Sequence, residues 1–128
     1  MEKRSAVILL IDDDASLGRA MVDLLAAHGH LPKLACTAEE AFTLLAAPHR
    51  FDVIILDLDL GTQRGEWLID ELRKSGAPLP AIVVHSGQSL PELALASKAV
   101  NAEVSLHKPC SPQRLLEAVG LATRWFRS

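Results

Sequence analysis

Five polar residues in this chain stand at the ends of apolar runs. Asp12 and Asp13 follow the run 6–11, Asp57 follows 53–56, Ser86 comes just after 81–84, and Lys108 lies just past Leu106. Carboxylates gathered in one place repel, and at least one is driven toward its protonated form unless a cation sits among them. An all-oxygen donor set favours a hard ion, and an open site that keeps some of its water suits Mg2+. A lysine and a hydroxyl facing such carboxylates would complete a cradle for a transferred phosphoryl group. An aspartate inside the cradle can act as nucleophile and become an acyl phosphate. All of this requires residues far apart in sequence to meet at one edge of a fold, so the elements between them decide the matter.

Those elements alternate. The run 6–11 is rich in Val, Ile and Leu and stops at three aspartates, as a strand buried on both faces of a parallel sheet does. Leu17, Ala20, Met21, Leu24, Leu25 and His28 follow at helical spacing, and Gly29 closes that helix. A weaker strand, 31–36, carries Pro32 near its start, which suits a sheet edge. Thr37-Ala38-Glu39-Glu40 has the form of a capping box and opens a helix through Ala46. The second buried strand, 53–56, ends at Asp57; 61–65 reads as a loop and 66–74 as a helix. A third apolar strand, 81–84, leads into His85-Ser86-Gly87, and a helix over 89–100 has Pro91 in its first turn. A short last strand, 103–106, ends at His107-Lys108-Pro109. Ser111 is a good N-cap with Pro112 at the first helical position, and Leu115, Val119, Ala122 and Phe126 line one face of the final helix.

Strict β-α alternation calls for an α/β fold: one five-stranded parallel sheet flanked by five helices, with right-handed crossovers. The ligand site of such a sheet lies beyond the carboxyl ends of its strands. Asp12, Asp13, Asp57, Ser86 and Lys108 all fall there.

Composition narrows the functions available. The 128 residues are 49% hydrophobic and 23% charged, which suits one globular core, and the chain reads as a single domain over 1–128. Its 13 Lys and Arg are scattered among 16 Asp and Glu, so no basic stripe exists for direct nucleic-acid binding. The run 6–11 is the longest uninterrupted apolar stretch and is far too short to span a membrane. Two cysteines without a CxxC pair make a cytoplasmic location the expectation. Outside the main cluster, Asp14 reads as a helix N-cap. His85 and His107 read as packing or rim residues, and Cys110 as an inert thiol. His28 and His30 stand too close together to form a metal site without further ligands.

Four segments carry a family resemblance: Ile8-Leu9-Leu10-Ile11-Asp12-Asp13-Asp14, the stretch from Asp52 to Leu60 around Asp57, Val84-His85-Ser86-Gly87, and Leu106-His107-Lys108-Pro109. In this order, each ending an expected strand, they resemble the response-regulator receiver domain of two-component signalling over almost the whole chain. The resemblance implies a flavodoxin-like sheet with strand order 2-1-3-4-5. It implies Asp57 as phosphoacceptor, Asp13 as a direct Mg2+ ligand, Asp12 as a ligand through water, and the backbone carbonyl of Asp59 as a further ligand. Ser86 would donate a hydrogen bond to the phosphoryl group, Lys108 would pair with it, and Lys108-Pro109 would be a cis peptide. The implied donor is a histidine kinase or a histidine phosphotransfer protein. Self-phosphorylation and autodephosphorylation are then the only enzymatic steps, with no separate substrate. Output would pass by protein contacts to a downstream target or to a domain attached in a longer parent.

The chain also departs from that family. Receiver domains usually carry Tyr or Phe three residues before the final lysine, whereas this chain has Ser105 there and no tyrosine at all. The resemblance therefore implies an atypical switch. Asp59 and Gln88 occupy positions that tune phosphate lifetime in the family, and Ser86 replaces the commoner Thr. Trp125 and Phe126 either pack on the domain or form an edge for a homodimer through the last helices. Two alternatives stay open on the sequence. One is a receiver-like interaction module that works without phosphorylation. The other is a haloacid-dehalogenase-type aspartyl-phosphate phosphatase, suggested by Asp57-Leu58-Asp59, although Thr62 stands one residue too far on for that motif.

Overall fold

The centre of the structure is the apolar strand β1 (Val7–Ile11), in which every residue after Val7 is buried. A computed structural model describes residues 5–127, with side chains through residue 124. Parallel neighbours flank β1 on both sides: β2 (Leu31–Ala35), and β3 (Val53–Leu56) with all four residues buried. Beyond the two-residue strands β4 (Asp59–Leu60) and β5 (Gln63–Arg64), β6 (Ala81–Ser86) pairs with β3, and β7 (Val104–His107) pairs with β6. The sheet order is β2-β1-β3-β6-β7. Counting the strands of this sheet alone, that is the expected 2-1-3-4-5. Pro32 does lie on an edge strand.

Each helix begins or ends where its polar residues dictate. The Asp14 carboxylate accepts the Leu17 N–H at 3.0 Å and starts α1 (Ala15–Ala27). The Thr37 hydroxyl accepts the Glu40 N–H at 3.0 Å and starts α2 (Ala38–Ala46). Glu40 reaches back one residue beyond the usual capping-box partner and accepts the Cys36 N–H at 2.9 Å. Then come α3 (Gly65–Ser75), closed by Gly76, and α4 (Leu90–Val100), capped by Ser89. The Ser111 hydroxyl accepts the Arg114 N–H at 3.1 Å and opens α5 (Pro112–Arg127).

The alternation of strand side chains divides the core in two. Leu9, Ile11, Ile54, Leu56, Ile82 and Val84 face α2, α3 and α4, where they meet Leu45, Leu68, Leu72 and Val100. Ile8, Leu10, Val53, Ile55 and Val83 face α1 and α5, against Met21, Leu25, Leu115 and Val119. Fully burying each such side chain is worth about 1.5–3 kcal/mol. Arg73 of α3 adds a polar tie by donating to the carbonyls of Ala99 and Val100 at 3.1 and 3.0 Å, which caps the end of α4. Among the described residues, no helix is long and apolar enough to cross a membrane.

One reading needs correction. The segment 61–65 is not a plain loop: β4 and β5 form an antiparallel hairpin turning at Gly61, whose φ is +80°. Strands of two residues are too short to show a hydrophobic period. The side chains of Trp125 and Phe126, read as packing residues or a dimer edge, lie outside the described residues.

After the hairpin the chain passes very close to β3. A Cβ on Gly65 would sit 2.8 Å from the Asp57 carbonyl oxygen and 3.1 Å from the Leu58 Cα, while the Gly65 N–H donates to the Leu58 carbonyl at 3.0 Å. Backbone cannot yield as a side chain can. Gly65→Ala is therefore expected to lower unfolding free energy in urea by about 1–3 kcal/mol. Gly120→Ala, on α5 with open space at its Cβ, is expected to raise it by up to about 1 kcal/mol.

Candidate functional site

Main-chain hydrogen bonds carry the sheet one residue past its strands and set the polar residues in place. The Asp12 N–H donates to the Ala35 carbonyl at 3.1 Å, the Asp57 N–H to Ile11 at 2.9 Å, and the Lys108 N–H to Ser86 at 2.8 Å. The carboxyl edge of the sheet thereby brings Asp12, Asp57, Ser86 and Lys108 together. Asp13, one residue further on, is exposed at the rim. The Lys108-Pro109 peptide is cis, as the resemblance implied.

The side chains converge. One carboxylate oxygen from each of Asp12, Asp13 and Asp57 lies within 4.8 Å of the others. Lys108 Nζ donates to Asp12 Oδ2 at 3.1 Å and to Asp57 Oδ2 at 3.3 Å. The second oxygen of each buried aspartate is also held: Asp12 Oδ1 accepts the Asp14 N–H at 2.9 Å, and Asp57 Oδ1 accepts the Asp59 N–H at 3.1 Å.

Burial sets the electrostatics. Asp12 and Asp57 are only 3% and 6% exposed. Burial pushes the Asp57 carboxyl up from 3.8 to about 6; the charge of Asp12 adds to the rise, while the Asp59 N–H and Lys108 oppose it. Burial alone would lower the Lys108 pKa, but its bonds to Asp12 and its attraction to Asp57 outweigh that and hold it above 10.5. His85, 5% exposed at the end of β6, is lowered to about 4, first by burial and then by Lys108, so its ring is neutral at pH 7. Burial likewise raises the Cys110 thiol above its ordinary value, against the pull of Arg114.

The remaining expected residues fall into two groups. Ser86 is fully buried beside the cluster, and its hydroxyl oxygen accepts the Gln88 N–H at 3.3 Å, which leaves its own proton to donate. Gln88 is half-buried next to it. Asp59 touches the cluster through its backbone N–H, because its carboxylate is turned away to accept the Gly61 N–H at 3.2 Å. Ser105 lies on β7 opposite Val84, exposed and small. Gly65, packed against the Asp57 carbonyl, was missed as a site residue. Its only sequence signal was a glycine at the start of a helix.

A doubly wound parallel sheet with an acidic pocket and a lysine at its carboxyl edge defines a receiver-type domain. Residues 8–120 match the family model of the response regulator receiver domain, and the chain belongs to that family. It is 33% identical over 108 residues to the alginate biosynthesis transcriptional regulatory protein AlgB of Pseudomonas putida, a match that covers 84% of this chain and 24% of AlgB. The chain thus spans about a quarter of the length of that relative. The chemotaxis protein CheY4 of Vibrio cholerae superposes with a TM-score of 0.81 at 28% identity, covering 93% of this chain and 99% of CheY4. A response regulator from Burkholderia pseudomallei, solved with a phosphorylated aspartic acid, a calcium ion and citrate, superposes with a TM-score of 0.77 at 27% identity, over 96% of this chain and 71% of that one.

The raised pKa of Asp57 makes stability depend on pH. Because the native value of about 6 exceeds the ordinary 3.8, the native state keeps a proton that the unfolded chain has lost. Stability from this group therefore falls as pH rises through that window, and the full penalty applies above about 6. In metal-free protein, Asp57→Asn is expected to be more stable than the native chain at pH 8 by on the order of 1–3 kcal/mol. Urea unfolding should show that advantage shrinking toward pH 4.

Proposed function

We propose that this chain is a phosphorelay receiver that takes a phosphoryl group from a phosphohistidine onto Asp57, and that the acidic cluster holds Mg2+ for the transfer. The observation carrying this reading is the convergence on Asp57: Lys108 at one oxygen, a backbone N–H at the other, and Asp12 and Asp13 within 4.8 Å. The donor set fits the ion. It is all oxygen, carries more negative charge than one lysine neutralises, and includes an exposed member, Asp13, on the solvent side. Asp12, Asp13 and Asp57 would hold Mg2+, with the Asp59 backbone carbonyl as a further donor. Bound there, the ion would neutralise charge developing on the phosphoryl oxygens.

The residues of the chain do the rest. Asp57 must be ionised to attack, and its pKa of about 6 leaves it so at pH 7. One of its oxygens forms the new bond to phosphorus as the P–N bond to the donor imidazole breaks. The bonding pair returns to that imidazole. Lys108 is then free to follow the negative charge from Asp57 Oδ2 to the phosphoryl oxygens, and the Ser86 hydroxyl donates to one of them. In autodephosphorylation water attacks phosphorus as the P–O bond to Asp57 breaks, which returns the carboxylate and releases inorganic phosphate and a proton. Asp59 and Gln88 hold the positions that bear on phosphate lifetime in this family.

The partners follow from the same features. A histidine kinase or histidine phosphotransfer protein docks beside α1 and the site loops. The signal leaves through contacts with a downstream protein or an attached domain. Ser105 has no ring to swing inward when Ser86 moves, so that output does not pass through an aromatic at this position.

A small-molecule phosphodonor such as acetyl phosphate, supplied with MgCl2, tests the reading by intact mass. The expected result is a gain of one phosphoryl group, lost in Asp57→Asn. Asp13→Ala is expected to weaken Mg2+ binding by roughly tenfold or more and phosphorylation with it. A chain that stays unmodified while still binding a partner would instead be an interaction module working without phosphorylation.

A further inference from the structure

A cavity of about 520 Å3 lies between α1 and the segment running from β7 into α5. Its size is within the roughly 300–1,000 Å3 typical of small-molecule sites. Leu17, Met21 and Leu24 line it from α1 and Leu115 from α5, and His85 and Cys110 complete the part of the wall that matters chemically.

His85 is the unusual member. Only 5% of the residue is exposed, and its Nδ1 is buried with no hydrogen-bond partner. The unpartnered Nδ1 leaves one hydrogen-bonding position of this ring unused. A buried polar group in that state costs free energy that a hydrogen bond would recover. The neutral ring offers one N–H and one acceptor nitrogen, and a hydroxyl can meet either of them. Charged ligands fit less well. Lys108, which also borders the cavity, repels cations, and its ammonium is already engaged by Asp12 and Asp57. Apart from Ser111, whose hydroxyl already accepts the Arg114 N–H, the remaining wall is apolar, and the sulfur atoms of Met21 and Cys110 suit contact with an aromatic ring.

We propose that this cavity binds a small, uncharged, ring-bearing molecule with one hydroxyl, the rings lying against Leu17, Met21, Leu24 and Leu115 and the hydroxyl bonded to His85. Lys108 and Pro109 line the cavity and also belong to the segment that carries the site lysine. A bound molecule would therefore touch the segment that holds the lysine of the acidic pocket. The inference does not require Asp57 to be phosphorylated.

The probes are 1-naphthol and naphthalene, which differ by the hydroxyl alone, titrated into the full chain by calorimetry. Occupancy is read separately from iodoacetamide alkylation of Cys110, with Cys36, outside the cavity, as the internal reference. The native chain is expected to bind 1-naphthol about tenfold more tightly than naphthalene. The naphthol should protect Cys110 and leave Cys36 unprotected. In His85→Leu the two probes are expected to bind equally, and in Leu24→Trp, which fills the cavity, neither should protect Cys110. Absence of saturable binding, equal affinities in the native chain, or a preference that survives in His85→Leu would each overturn the proposal. So would protection of Cys110 that rises with protein concentration alone, because a second copy of the chain would then be the occupant.

Discussion

Asp12 and Asp57 are two buried carboxylates on neighbouring strands, and the Lys108 ammonium bridges them at 3.1 and 3.3 Å. Removing one partner of a buried pair is costly, because it leaves a charge with neither solvent nor counter-charge. Here the arrangement is unbalanced from the start, with one cation between two buried anions and Asp13 close by. Backbone N–H groups from Asp14 and Asp59 take the remaining oxygens, and Asp57 still has its pKa raised to about 6. That residual excess of negative charge is what a bound cation would neutralise. The three residues come from the ends of β1, β3 and β7, so strand order, helix placement and loop course all answer to this contact.

The apolar architecture exists to hold those strand ends still. With β1 and β3 adjacent, the Asp57 N–H can donate to Ile11 and Asp57 comes to lie beside Asp12. β6 between β3 and β7 carries Ser86 into the same edge and, through its carbonyl, positions Lys108. The two core layers bury both faces of the sheet. A rigid body presenting a few polar side chains at one rim is the arrangement that fixes catalytic distances most closely. The hairpin β4–β5 and the close passage of Gly65 past the Asp57 carbonyl complete it by turning the Asp59 N–H toward Asp57.

Much of this could be read in the sequence, for identifiable reasons. Runs such as Val53–Leu56 are short, β-branched and uniformly apolar, a pattern that only a doubly covered parallel strand accounts for economically. Caps at Asp14, Thr37 and Ser111 are local events, set by a side chain and a backbone group three residues apart, and all three formed as expected. The misses were non-local or very short. The β4–β5 pair has too few residues for any period, Arg73 caps a helix distant in sequence, and Gly65 matters only because another backbone runs beside it. Glu40 met Cys36 instead of Thr37, a one-residue difference that depends on the course of the chain before the helix.

By itself the sequence determined the order of strands and helices, the identity of the polar residues at the strand ends, and the absence of an aromatic at position 105. These follow from periodicity, capping chemistry and residue identity, all of which act over a few positions. Only the tertiary structure decided that Lys108 spans Asp12 and Asp57, that the Asp59 carboxylate turns away while its N–H stays, and that His85 is buried beside an apolar cavity with its Nδ1 unpartnered. Burial and desolvation are properties of the whole packed body, and no local stretch of chain encodes them.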